Sequence, residues 1–140
     1  MNQNKRKKTL HVLSCFETLL GLLSSAFGLF MIHGGTTMID AEVRSLNSQI
    51  DNTPIFIAIG VILIFEGIFA LTGSSFARSM VKDLSQYKPA LYFTMITFMF
   101  NGINLVFALV SYVKIHDIIV TIFFMVMSGY MAELIWALKD

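Results

Sequence analysis

Glu17 and Glu66 each lie inside a long apolar run, and each is followed by small residues at the same offsets. After Glu17 come Gly21, Ser24, Ser25 and Gly28; after Glu66 come Ala70, Gly73, Ser74 and Ala77. On a helix those offsets share one face, within an arc of roughly 100°. A third apolar run carries Asn101 and Asn104 near its middle, and Phe100-Asn101-Gly102-Ile103 echoes Phe65-Glu66-Gly67-Ile68. A carboxyl group within lipid must be partnered or uncharged, and it faces the protein interior. An asparagine amide can donate to it or accept from it. The expectation is one buried polar cluster of Glu17, Glu66 and Asn101 or Asn104, with the two glutamates meeting at similar depth. Such a cluster is either structural glue that fixes helix register or a site that handles a proton or cation. Glu133 lies near a run's end and is expected to snorkel to the interface with Lys139.

The elements that must position these groups follow from length. A helix rises about 1.5 Å per residue, so about 20 apolar residues cross about 30 Å of hydrocarbon. Four segments qualify, at 10–32, 54–77, 90–113 and 118–138. They predict an all-α, left-handed four-helix membrane bundle formed as a single domain over 1–140, with 1–9 as a basic tail. The first apolar run is too long for the core of a signal peptide, and three more follow, so it is expected to remain as a span. Small-residue seams let helices approach closely in lipid, where packing rather than hydrophobicity drives association. The two glutamate-bearing seams therefore predict a tight first-to-second hairpin, or each seam docked on another helix.

Charge sets the expected direction of threading. Lys5-Arg6-Lys7-Lys8 precede the first span; Asp40, Glu42 and Asp51 oppose Arg44 in the next loop; Arg78, Lys82 and Lys88 oppose Asp83 after that. Basic, acidic, basic is the order for both termini on the cytoplasmic side of the plasma membrane. In the first outer loop Ile39, Val43, Leu46 and Ile50 recur at helical spacing. They predict a short amphipathic helix on the outer surface, serving as a packing cap or as a lid for a partner. Gly34-Gly35 reads as a turn after the first span, and the second helix is expected to run past Arg78, with Val81 and Leu84 toward the membrane.

Composition narrows the function. Hydrophobic residues make up 56% and charged residues 14% of 140, with a net charge of +1, so nucleic acid is not an expected partner. The single cysteine, Cys15, rules out an intrachain disulfide and a Cys-based metal site. Met95, Met99, Met125, Met127 and Met131 could in principle hold Cu(I), but filling gaps in a core suffices for them. Tyr87, Tyr92, Tyr112 and Trp136 fall near span ends, as interfacial aromatics do. No catalytic motif is present, so no catalytic residue, metal or cofactor is assigned.

Four spans with a glutamate in the first resemble the small multidrug-resistance transporters in outline. The outer loop here is longer, and the charge bias does not suit an antiparallel dimer. The stretch Glu66-Gly67-Ile68-Phe69-Ala70-Leu71-Thr72-Gly73, followed by Arg78, resembles the second helix of DoxX-like four-span proteins over about a tenth of the chain.

Three functional expectations result. The first is a non-enzymatic accessory or interaction subunit that packs on itself or on a larger membrane protein through the seams and buried acids. The second is a small proton- or cation-coupled transporter using Glu17 and Glu66. The third is a membrane immunity or stress-protection protein.

Overall fold

A computed structural model describes residues 2–42, 53–110 and 115–139, and within them all side chains except those of 35–42, 53–56, 107, 108, 116 and 117. The described residues form four α-helices: α1 (Gln3–Glu42), α2 (Thr53–Lys82), α3 (Tyr87–Val110) and α4 (Ile115–Lys139). All four are long and apolar enough to cross a membrane, over Gln3–Gly34, Ile57–Lys82, Leu84–Val106 and Ile118–Lys139. Large apolar side chains on their outer faces are exposed, among them Leu23, Phe30, Met99, Val110 and Phe123. That inversion of the soluble pattern is what a lipid solvent permits, and these features fit a multi-pass membrane protein.

Several boundaries differ from the sequence reading. The basic segment is part of α1 from Gln3, and α1 passes through Gly34-Gly35 without the expected turn. Two glycines cost a helix only about 1 kcal/mol each, too little to end one that is otherwise supported. The expected amphipathic segment begins inside α1, and its portion from Val43 to Ile50 lies outside the described residues. α3 starts at Tyr87, with Pro89 in its first turn, where a missing N–H leaves no bond unmade. α2 runs one turn past Arg78 to Lys82, and Val81 packs against the interior core instead of facing lipid.

The link from α2 to α3 is short because Asp83 stops one helix and starts the next. Its backbone is extended (φ −136°, ψ 105°), and its carboxylate accepts from the Ser85 N–H at 2.9 Å and from the Ser85 hydroxyl at 2.7 Å. These two donors hold the Asp83 carboxyl below the usual carboxylate range. A single 3₁₀ turn, Leu84–Gln86, then delivers the chain into α3, which returns antiparallel to α2.

The apolar core sits at one end of the bundle. Leu10, Ala77, Met80, Ala90, Met131, Leu134, Ile135 and Leu138 are buried there, drawn from all four helices. Lys5, Arg6, Lys7, Lys8, Arg78, Lys82, Lys88 and Lys139 belong to the same end, which we call the basic end. Here Arg6 donates from Nη1 to the Ala137 carbonyl at 3.0 Å, filling one of the acceptors that a helix C-terminus leaves open. Lys139 lies over the Trp136 ring at 4.6 Å and the Tyr87 ring at 5.7 Å. Glu133 is exposed at this end.

Candidate functional site

The α1–α2 contact fixes the depth of both glutamates. A methyl group built on Gly28 would stand 2.5 Å from the Gly60 carbonyl oxygen, and one built on Gly21 would stand 2.9 Å from that of Gly67. The helices thus touch backbone to backbone at two levels, seven residues apart on each. Gly67 also lies directly under the Ser25 hydroxyl. By this register Glu17 is offset from Glu66 toward the basic end by roughly five to seven residues, or about 7–10 Å along the axis. The glutamates are not level, as the sequence suggested; they approach one chamber from different heights.

The two predicted seams behave differently. The first is used as expected: Gly21 and Gly28 receive α2, Ser25 fills the space over Gly67, and Ser24 turns to the chamber. The second is divided among neighbours. Gly73 meets the α3 backbone, where an added methyl would stand 3.3 Å from Phe93 C and Thr94 N. Ser74 shares a hydrogen bond with Thr18 of α1 at 2.8 Å, Ala77 enters the basic-end core, and Ala70 lines the chamber. The face of α2 that actually meets α1 is Gly60 and Gly67. Their spacing of seven mirrors that of Gly21 and Gly28, a signal present in the sequence but off the offsets that start at Glu66.

The chamber measures about 40 Å³ and takes wall residues from every helix. α1 gives Glu17, Leu20, Gly21 and Ser24; α2 gives Glu66 and Ala70; α3 gives Thr97 and Asn101; α4 gives Phe124, Met127 and Ser128. A volume of that size accommodates about one to three waters or a group of similar size. Glu17 is 1% exposed, and both of its carboxyl oxygens are buried without a hydrogen-bond partner. Glu66 is 8% exposed and accepts from the Asn104 amide at 2.6 Å through Oε2. Asn101 donates to the Ser128 hydroxyl at 3.4 Å, and Ser128 in turn donates to the Phe124 and Met125 carbonyls.

All four expected polar residues therefore converge, with distinct placements. Glu17, Glu66 and Asn101 line the chamber, while Asn104 stands behind Glu66 and orients it. Thr97, Ser128 and Met127 complete the walls and were not anticipated, since one polar hydroxyl in an apolar run gives no directional signal. What the arrangement can do chemically is accept hydrogen bonds and balance positive charge. Glu17 offers two unspent oxygens, and an unpartnered buried carboxyl costs several kcal/mol. Among the described residues no three His, Cys, Asp or Glu side chains are grouped to hold a metal ion, and Met95 and Met99 face outward.

The chamber is closed toward the basic end by the apolar core and along α1–α2 by the glycine contact. Of the side-by-side helix pairs, α1 and α4 meet least closely. Between them runs an apolar groove of about 280 Å³, lined by Leu13, Phe16, Phe123, Val126, Met127 and Tyr130. Met127 is a wall of both spaces.

Comparison with known proteins yields no relationship: no family model, no curated protein and no solved structure matches the chain.

Proposed function

We propose that this chain is a non-enzymatic multi-pass protein of the plasma membrane that binds and passes a proton or small cation through the chamber at Glu17 and Glu66. The observation that carries this reading is Glu17, whose two oxygens are buried, unpartnered and on the wall of a space large enough for a cation or water. Most buried carboxyl oxygens have a hydrogen-bond partner, as Glu66 Oε2 has in Asn104, and those of Glu17 do not. The basic end is taken as cytoplasmic on the charge rule, so the amphipathic segment at 39–50 belongs outside. The bilayer is the primary partner, and self-association or a larger membrane partner remains compatible with the apolar outer faces.

The accessory-subunit reading draws less support, because the seams it relied on are occupied within the chain. The immunity reading rests on residues 39–50 and gains no argument from the helices.

The test is flux in proteoliposomes, using labelled methylammonium as the small cation and an internal pH dye for protons. Wild type is expected to give uptake or proton movement above empty vesicles. Glu17→Gln and Glu66→Gln are expected to abolish it while retaining helical circular dichroism. Unchanged flux in the double Gln variant would end the proposal.

A further inference from the structure

We infer that the chamber's ligand is a long-chain primary amine that reaches Glu17 sideways from the bilayer, between α1 and α4 past Met127. This inference rests on the cation-binding reading above and adds the ligand's shape and its route.

The route follows from comparing three approaches to the chamber: the basic end, the α1–α2 face and the α1–α4 face. The basic end is filled by Leu10, Met80, Met131 and Ile135, each 0% exposed. The α1–α2 face is shut by backbone contact at Gly21 and Gly28, which no side-chain rotation can open. The α1–α4 face, the loosest of the side-by-side contacts, carries a groove whose rims are exposed: Phe16 57%, Phe123 62%, Val126 63%. Met127, 8% exposed, is a wall of both that groove and the chamber. Methionine is unbranched, with three rotatable bonds, and shifts aside more readily than any β-branched residue would.

The shape follows from the two volumes and their chemistry. The chamber, about 40 Å³, suits an –NH₃⁺ head, whose three N–H donors match the unspent Glu17 oxygens. A quaternary ammonium has no N–H to give. The groove, about 280 Å³, is several times the chamber's volume and has an apolar lining suited to an alkyl chain. Glu17 lies about seven residues, or about 10 Å, inside the apolar run that begins at Leu10. A phospholipid, whose head stays at the membrane surface, cannot place its polar part there. A single-chain amine can, because Glu17 supplies the countercharge that lipid does not.

The test uses the full chain in nanodiscs and a dodecylamine carrying a diazirine near its chain end. Photolabelling is expected on α1 and α4 peptides that contain Phe16, Phe123 or Val126. Excess dodecylamine should compete with it; dodecanol and dodecyltrimethylammonium should not. Glu17→Gln and Met127→Trp, each checked for helical content, should lower the competed label at least tenfold. If one of these variants fails to fold, the other decides. Label that persists in the folded variants, or that dodecanol or the quaternary analogue removes equally well, would overturn the inference. Glu17-dependent methylammonium flux without competed label would also overturn it, leaving the small-cation reading in place. Failure of both assays would remove both.

Discussion

Gly28→Ala tests the register from which every depth in the site is counted. The new Cβ would stand 2.5 Å from Gly60 O, 2.9 Å from Ile64 Cγ1 and 3.0 Å from Ile64 N. Ordinary contact begins at 3.4 Å, so α1 and α2 must part locally by about 0.9 Å. Two of the three opposing atoms are backbone and cannot rotate away. Overpacking of this kind costs about 1–3 kcal/mol. Alanine is the better helix former by about 0.5–1 kcal/mol, which offsets part of that cost. Gly102→Ala supplies the reference, since a methyl there meets nothing within 4 Å and should show the propensity gain alone. Both variants are unfolded with SDS in mixed micelles and followed by circular dichroism. Gly28→Ala is expected to be less stable than Gly102→Ala by about 1–3 kcal/mol. Equal stabilities would mean that α1 and α2 do not touch at Gly28 and Gly60, and the vertical placement of Glu17 against Glu66 would fall with that contact.

Three further outcomes follow from the same coordinates. Glu17→Leu removes an unpartnered buried carboxyl and should stabilise the ligand-free protein by about 1–3 kcal/mol in the same titration; a loss instead would make Glu17 a structural anchor. Asn104→Leu strips Glu66 of its 2.6 Å donor and should cost about 1.5–3 kcal/mol, most of it recovered in the Asn104→Leu/Glu66→Leu double variant. The Asp83 carboxyl titrates lower when folded than its usual value of 3.8, so its support of the α2–α3 turn is present above that pH and is lost as pH falls through the lower folded value. Hydrogen exchange at the Ser85 amide should therefore speed up in acid in wild type beyond the intrinsic trend, and follow that trend alone in Asp83→Ala.

The four spans were legible because apolar length is a one-dimensional property and a bilayer reads it directly. Glu17, Glu66 and the asparagines were legible as interior groups because lipid does not tolerate them outside. Which neighbour each would meet was not legible. Helical spacing puts Gly73 and Ser74 on the same face as Glu66, yet adjacent positions are 100° apart, and α1 and α3 divide that face between them. The levels of the two glutamates depended on pairing Gly21 with Gly67 and Gly28 with Gly60, a choice fixed by two helices at once. Gly34-Gly35 misled for the opposite reason: local weakness was read as a break where helix continues on both sides. Met127 carried no mark at all, because its role comes from standing between two spaces that exist only once α1 and α4 are assembled.

The bond from Arg6 to the Ala137 carbonyl joins positions 131 residues apart. During synthesis the α1–α2 hairpin has all its glycine contacts in hand before α3 is made. The fourth wall, and with it this fastening, arrives last. Without α4 the chamber lacks Phe124, Met127 and Ser128 from its walls. A chain that ended short of α4 would have its acid but no chamber around it.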